Sequence, residues 1–223
     1  MVQRTFILRG LTATVLLVTP HAEHMFKKDG KVPAEIKKAK LEDWYSGLDD
    51  QSKVRMSRYL QGINTGSSFD FFTDAIGKAM ADENFAFAVK LCEDTYSNVD
   101  MTDLQRFSVN ELLIDSYFGC ERYDDVKAAC EANYDLFPKV REQLEKANNG
   151  KVPEVLAFRN QYINVIVGVE SNYDLGFEML KRYNEMGILS DEDLEYRTNS
   201  LRTHRLQRVF DGVYTYRPKD EGL

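Results

Sequence analysis

Three short segments of the chain repeat one local pattern, in which a polar residue and then an aromatic residue follow a turn. The segments are Asn84-Phe85, Arg122-Tyr123 and Asn172-Tyr173. Three and seven residues after each aromatic residue come small or apolar side chains, which one face of a helix would carry together. These are Ala88, Cys92, Val126, Cys130, Gly176 and Leu180. Each aromatic residue is therefore predicted to start a helix that buries one face.

An apolar stripe also precedes each aromatic residue. Six and ten residues upstream lie Ala79 and Ala75, Tyr117 and Leu113, and Val167 and Ile163. The two stripes together predict three helical hairpins, over residues 69–96, 103–137 and 153–186. A single hairpin cannot bury its apolar face alone, whereas stacked hairpins can. The sequence thus predicts an all-α fold of stacked antiparallel helical hairpins.

The second hairpin resembles a tetratricopeptide repeat. Four of its residues match that family's leucine, tyrosine, turn aromatic and closing proline: Leu113, Tyr117, Tyr123 and Pro138. The family's usual glycine, two residues before the turn aromatic, is replaced by Glu83, Glu121 and Ser171. The interval from Tyr123 to Tyr173 exceeds the family's ~34 residues, and residues 139–151 predict a short extra helix there. The resemblance implies a right-handed superhelix with a peptide-binding groove.

The flanking segments complete a single helical domain over residues 1–223. Residues 1–66 are predicted as an N-terminal helical region, with one helix over 33–45 and a second capped by Asp49 or Asp50. Residues 67–189 hold the three hairpins, and residues 190–223 hold a capping helix and an extended tail. Ser190 and Asp193 form a capping box, and that last helix is expected to end near Phe210 and to cover the third hairpin.

The first apolar run, residues 11–18, is far shorter than the ~18 residues that span a bilayer. No membrane span is therefore predicted. An ordered first element is favoured over a signal peptide, because residues 19–22 make a poor cleavage site. The chain has three cysteines, none in a C-x-x-C motif, and no N-x-S/T sequon, so a reducing, cytoplasmic location is expected.

No familiar set of catalytic residues is present in the sequence. It contains neither a glycine-rich phosphate loop nor a G-x-S-x-G elbow. His21 and His24 have the H-x-x-H spacing of metal ligands, but no third ligand accompanies them. The formal net charge of -7 disfavours nucleic acid as a partner, although residues 27–40 form a basic stretch. We expect no enzymatic activity, no cofactor and no metal.

Polar residues replace apolar ones on the first helix of the third hairpin. Asn160 and Asn164 lie one turn apart there, beside Arg159, and Arg202 and Arg205 follow on the capping helix. The tetratricopeptide resemblance implies that this first helix lines the concave groove. Amides there would bond an extended peptide, and the arginines would receive an acidic group. These five residues are the candidate partner-binding site, and solvated surface side chains are the alternative interpretation.

Two functions of different classes follow from these patterns. The leading hypothesis is a non-enzymatic scaffold that binds a protein or peptide partner in a helical-repeat groove. The alternative is a small-ligand-binding or regulatory helical domain, open to self-association, in which some of the twelve Tyr and thirteen Phe enclose a pocket.

Overall fold

A computed structural model describes residues 4–8, 11–15 and 32–214, with side chains described over residues 32–210. Strands β1 (Arg4–Leu8) and β2 (Leu11–Val15) pair antiparallel. Every regular element between residues 32 and 214 is helical, which confirms the predicted all-α class for that part of the chain. Residues 1–66, predicted as an N-terminal helical region, therefore contain two strands besides their helices.

Residues 32–214 contain ten α-helices and one π-helical segment. They are α1 (Ala34–Lys38), α2 (Glu42–Gly47), α3 (Asp50–Ser57), α4 (Ser68–Ala81), α5 (Phe85–Asn98), α6 (Asp103–Gly119), α7 (Tyr123–Ala147), α8 (Ala157–Ile163), a π-helical continuation (Asn164–Val169), α9 (Tyr173–Glu185) and α10 (Asp191–Tyr214).

Consecutive helices pack as three helix–turn–helix pairs. Helix α4 contacts α5, α6 contacts α7, and α8 with its π-helical continuation contacts α9. Neighbouring pairs also touch, because α6 packs on α5 and α8 packs on both α6 and α7. Helix α10 packs on α9, and its Leu194 and Leu201 cover part of the apolar core. The last helix thus lies where a capping helix is expected.

The three turn aromatics, Phe85, Tyr123 and Tyr173, are the first residues of α5, α7 and α9, as predicted. The small or apolar residues three and seven positions later are all buried, as expected for one face of each helix. The ring of Phe85 lies against Gly119 of the next pair. The hydroxyl of Tyr173 lies 2.9 Å from Nδ1 of His204 on α10. Two of the three aromatics therefore reach the helix that follows their own pair.

The turns before these aromatics share one backbone conformation. Glu83, Glu121 and Ser171 have φ of 55°, 57° and 56°, in the left-handed region. They are the residues that stand where tetratricopeptide repeats have glycine. The amide of the next residue closes the first two turns, Asn84 bonding the carbonyl of Ala79 at 2.8 Å. Each of these turns thus contains a left-handed residue that carries a side chain, which this conformation disfavours.

Glycine at any of these three positions should stabilise the fold. Each of Glu83→Gly, Glu121→Gly and Ser171→Gly is expected to raise the free energy of unfolding by about 0.5 kcal/mol, because glycine has no Cβ to strain the left-handed backbone. Urea unfolding of each variant measures the change. The matched control is Glu93→Gly in the exposed interior of α5, which should lose about 1 kcal/mol. Equal losses in the turn and control variants would contradict this view of the turns.

Two boundaries predicted from the sequence are wrong. The helix expected over residues 33–45 is broken into α1 and α2, since Lys40 has φ of 57°. Pro138 does not close the second hairpin, because α7 continues through it to Ala147. The extra helix predicted within residues 139–151 is therefore the last part of α7. Proline removes one helical hydrogen bond. The burial of Phe137 and Val140 on the same helix offsets that loss.

The predicted extended tail also begins later than expected. Helix α10 does not stop near Phe210, and its backbone stays helical to Tyr214. At its start, Oγ of Ser190 accepts from the amide of Asp193 at 3.0 Å, which is one half of the predicted capping box. The carboxylate of Asp193 accepts from Oγ of Ser190 at 2.8 Å and not from the backbone amide of Ser190. The rest of the expected tail, residues 215–223, lies outside the described residues.

Candidate binding groove between α7, α8 and α9

The first three predicted site residues lie on or just after α8, but they are not equally accessible. Arg159 is only 5% exposed, and its guanidinium donates to the carbonyl of Glu154 and to Oδ1 of Asn160. Asn164 is exposed, and its amide donates to Oε1 of Gln161 at 2.9 Å. Arg159 therefore stabilises the start of α8, whereas Asn160 and Asn164 remain near the surface.

The two predicted arginines of α10 engage other groups. Arg205 forms an ion pair with Asp174 of α9 at 3.0 Å, and Arg202 donates to Asn199 of its own helix at 3.3 Å. In the part of the chain with described side chains, no hydrogen bond or ion pair joins these arginines to Arg159, Asn160 or Asn164. The joint partner-binding role of the five residues stays a prediction.

A cavity of about 260 Å³ opens between α7, α8 and α9. We call it the tyrosine groove. It is lined by Cys130, Glu131, Tyr134, Asp135, Tyr162, Met179, Arg182 and Tyr183. The sequence pointed to one of these residues, Cys130, as part of a buried helix face, and to none of them as a binding residue. Their common signal was the presence of a tyrosine on each of three neighbouring helices, but the sequence did not reveal that the three face one space.

Local helix geometry positions the walls of the tyrosine groove. Cys130 and Tyr134 are one turn apart on α7, and Met179 and Tyr183 are one turn apart on α9, so each pair shares a helix face. Tyr162 enters from α8. The rings of Tyr134 and Tyr183 have centroids 6.5 Å apart. Tyr183 is buried, which raises the pKa of its phenol, so the hydroxyl stays neutral.

The charges at the tyrosine groove are unevenly paired. The guanidinium of Arg182 lies over the ring of Tyr134, 4.0 Å from its centroid. Glu131 and Asp135 flank Tyr134 along α7, and both are exposed. Among the ion pairs of residues 32–210, none engages either carboxylate. Burial, helped by the nearby Glu131, raises the pKa of Tyr162. The groove therefore presents two carboxylates and one guanidinium around neutral aromatic walls.

The thiol at the groove is not an activated nucleophile. Cys130 is 1% exposed, and burial raises the pKa of its thiol. A reactive cysteine requires a lowered thiol pKa in an electropositive environment, because the thiolate is the nucleophile. The carboxyls of Glu111 and Asp115 act on Cys130 in the opposite direction. The chemistry of this arrangement therefore favours binding through aromatic and charged groups.

A carboxyl group of α6, in the second helix pair, positions the start of α8. Glu111 of α6 accepts the amides of Ala157 and Phe158 at 2.5 and 3.1 Å, and the side-chain amide of Asn133 at 2.8 Å. These amides belong to the first turn of α8, which has no partners for them within the helix. Glu111 therefore acts as an N-cap supplied by a different helix.

A second contact between α6 and α8 reinforces this cap. The side-chain amide of Gln161 donates to Oδ1 of Asp115 at 2.8 Å, one turn beyond Glu111 on α6. Because Tyr162 follows Gln161 directly, these contacts set where Tyr162 enters the tyrosine groove. Glu111 and Asp115 thus position a wall residue without lining the groove themselves.

Burial raises the pKa of Glu111 to about 7, although three hydrogen bonds to the carboxylate oppose that rise. The bonds come from Asn133, Phe158 and Ala157, and the negative charge of Asp115 adds to the rise. Burial disfavours the charged form of a carboxyl, and here it has the larger effect. The folded protein consequently holds a proton at Glu111 that the unfolded chain releases at lower pH.

The stability contributed by Glu111 should fall as the pH rises. Its pKa is about 7 in the folded chain against an ordinary 4.5, so the contribution is complete below pH 4.5 and lost above pH 7. The free energy of unfolding, compared with that of Glu111→Gln, should drop by about 3 kcal/mol across this window. Urea unfolding at a series of pH values measures it. A difference between the two proteins that does not vary with pH would contradict the assignment.

Neither a metal cluster nor a membrane-spanning helix occurs among the described residues. No three His, Cys, Asp or Glu side chains there are grouped as metal ligands. The helices of that part of the chain are not long and apolar enough to cross a bilayer. His21 and His24, considered above for their spacing, lie outside the described residues.

Comparison of the chain with protein-family models, with curated proteins and with solved structures finds no match. The candidate site therefore rests on the geometry of the tyrosine groove and of the contacts that position α8.

Proposed function

We propose that the chain is a non-enzymatic interaction scaffold, in which stacked helix pairs of tetratricopeptide-like arrangement hold a partner protein at the tyrosine groove. The single observation that carries the proposal is this groove of about 260 Å³, walled by Tyr134, Tyr162 and Tyr183. Tyrosine is enriched at protein interfaces, because one side chain offers a large apolar area and a polar end. The hydroxyl of Tyr183 points to the carbonyl of Phe158 at 3.4 Å, and its ring packs edge-on against the ring of Phe158, which positions this wall.

The placement of the groove supports a recognition role. It lies where α7, α8 and α9 meet, so it exists only when the second and third pairs are packed together. Concave sites between packed elements, with a few fixed polar groups, are typical binding sites. The walls come from regular helices and not from loops, so a partner would meet a surface that is already formed before binding.

The proposal is tested by affinity purification of partner proteins, with the full-length native chain and matched variants as bait. Tyr162→Leu and Tyr134→Leu remove hydroxyls and ring faces while keeping apolar volume, so the fold should persist, as circular dichroism would verify. A stoichiometric partner of the native protein should be lost with both variants and kept with Glu142→Gln, an exposed position on α7 outside the groove. A partner recovered equally by all four proteins would exclude the tyrosine groove as its site.

Self-association is a second candidate function, favoured by the outer face of α10. Tyr196, Leu206 and Phe210 recur there at helical spacing and are 75%, 58% and 58% exposed. They lie on the side opposite Leu194 and Leu201, which pack on the core. The helix begins with an acidic turn and carries four arginines after it, so a second copy running antiparallel would bring opposite charges together.

Sedimentation equilibrium distinguishes this candidate. The native chain should form dimers that dissociate in a Leu206→Glu, Phe210→Glu double variant, because each carboxylate would face apolar surface at the interface. A native chain that sediments as a monomer at every concentration would exclude self-association through α10.

A further inference from the structure

The tyrosine groove contains more negative than positive charge. Its carboxylates, Glu131 and Asp135, are exposed and lack an ion-pair partner among residues 32–210. Its one guanidinium, that of Arg182, lies over Tyr134. Over the same residues, no cation covers the ring of Tyr162 or Tyr183. The groove therefore has an unmatched negative charge and, besides the buried Tyr183, one tyrosine ring, that of Tyr162, which no cation of the described residues covers.

We propose that the tyrosine groove takes one cationic side chain, an arginine or lysine of a partner protein, with the tyrosine rings as its walls and Glu131 and Asp135 as its counter-charges. This proposal rests on the proposed function and specifies the chemistry of the partner. A cation over the face of an aromatic ring is attracted by the ring's quadrupole, and more strongly where water is excluded. An acidic segment would instead meet two carboxylates of the same sign.

The size of the groove agrees with a single inserted side chain. Its volume of about 260 Å³ is smaller than the roughly 300–1,000 Å³ of sites that enclose a drug-sized molecule. Arginine is the better fit of the two cations, because its planar guanidinium both stacks on rings and donates to carboxylates through a rigid fork. The protein already pairs this chemistry within itself, at Arg182 and Tyr134.

Substitution of Arg182 should change the affinity of the groove for a cationic side chain in the direction opposite to substitution of Glu131 and Asp135. Its guanidinium occupies the face of Tyr134 and repels a second cation at the groove. In Arg182→Ala, that ring face becomes available and the repulsion disappears. The substitution should therefore strengthen the binding of a cationic side chain, whereas removal of Glu131 and Asp135 should weaken it. A groove that recognised only apolar surface would not respond to these charges with opposite signs.

The test titrates the full-length protein with an acetylated, amidated Gly-Arg-Gly peptide while following the tyrosine ring resonances by NMR. Shifts are expected at Tyr134, Tyr162 and Tyr183. Affinity should fall about fivefold in the Glu131→Gln, Asp135→Asn double variant and rise about twofold in Arg182→Ala. Glu142→Gln is the matched control on the same helix and should leave affinity unchanged. Gly-citrulline-Gly, which is neutral and nearly isosteric, should not bind.

Other results would overturn the proposal. Equal binding of the arginine and citrulline peptides, or equal affinity of the native protein and the double carboxylate variant, would exclude cation recognition. Methylguanidinium that binds as tightly as the peptide would show a site for small free cations instead of a partner's side chain. The proposed function would fail, independently of cation recognition, if native partners were recovered equally with Tyr134→Leu and Tyr162→Leu while the arginine peptide still bound the tyrosine groove.

Discussion

Replacing Glu111 with alanine should lower the free energy of unfolding by about 3 kcal/mol at pH 6, because three donors lose their acceptor at once. Two of them are amides of the first turn of α8, at Ala157 and Phe158, and the third is the side chain of Asn133. Asn133 is fully buried, so water does not readily replace the lost partner. Chemical denaturation of the variant and the native protein measures the loss.

Glu111→Gln is the matched control for this loss. Its carbonyl oxygen can still accept from Phe158 and Asn133, but its amide group would face the amide of Ala157. We expect a cost of about 1 kcal/mol, that of one missing hydrogen bond. Glu142→Ala, at an exposed position on α7, should stay within about 0.5 kcal/mol of the native protein. If alanine and glutamine at position 111 cost the same, the role of Glu111 as the cap of α8 would have to be abandoned.

Hydrogen exchange gives a local readout of the same cap. In Glu111→Ala, the amides of Ala157 and Phe158 should exchange faster than they do in the native protein, because their acceptor is gone. Because Tyr162 lies on the same helix, the tyrosine groove of this variant should also bind a ligand less tightly than the groove of the native protein. This links the stability of α8 to the tyrosine groove by a measurement that global unfolding alone does not provide.

Gly119→Ala should destabilise the protein, whereas alanine at most helix glycines stabilises it. A Cβ at Gly119 would lie 2.4–2.6 Å from three ring atoms of Phe85, nearer than van der Waals contact allows. Overpacking of this kind costs about 1–3 kcal/mol, more than the gain in helix propensity returns. Thermal and urea unfolding measure the net effect, and no gain in stability is expected from this substitution.

Gly77→Ala is the matched control, since a Cβ there meets no atom within 4 Å and Gly77 also lies inside a helix, α4. It should raise the free energy of unfolding by about 1 kcal/mol. A double-mutant cycle with Phe85→Ala then isolates the contact, because Gly119→Ala should cost nothing once the ring is removed. Additive effects of the two substitutions would mean that the ring of Phe85 does not limit the space at Gly119.

The contact at Gly119 shows how the first and second helix pairs are fitted to one another. The turn aromatic of the first pair requires a residue without a Cβ on the second pair, at Gly119. Within the third pair, Gly176 of α9 has a similar role, since a Cβ there would lie 2.7 Å from Cγ2 of Val167 in the π-helical continuation of α8. Small residues at these places let the helices approach closely, which a larger side chain would prevent.

The candidate site was less predictable than the fold. The sequence placed Arg159, Asn160 and Asn164 together on one helix. The structure has Arg159 and Asn160 on α8 and Asn164 at the start of its π-helical continuation, and Arg159 is buried and bonded to its own segment. Arg202 and Arg205 bond other residues of α10 and α9. The tyrosine groove was missed, because its three tyrosines belong to α7, α8 and α9, and no spacing along the chain says that their rings share a space.

The sequence by itself determined where most helices begin and which faces they bury. The starts at Phe85, Tyr123 and Tyr173 and the burial of Cys92 and Cys130 all follow from residues within one or two turns. The cap of α3 was predicted at Asp49 or Asp50, and the structure has it at Asp49. Periodicity and capping are local, because helical hydrogen bonds join residues only four positions apart.

Only the tertiary structure decided how α8 is capped, how α7 continues through Pro138 and where the groove lies. Glu111 and the amide of Ala157 are 46 residues apart in the chain, so their bond depends on two helix pairs packing together. The same packing buries Glu111 and so raises its pKa, and it assembles three tyrosines around one cavity. Burial and charge depend on neighbours in space, which the order of residues does not specify.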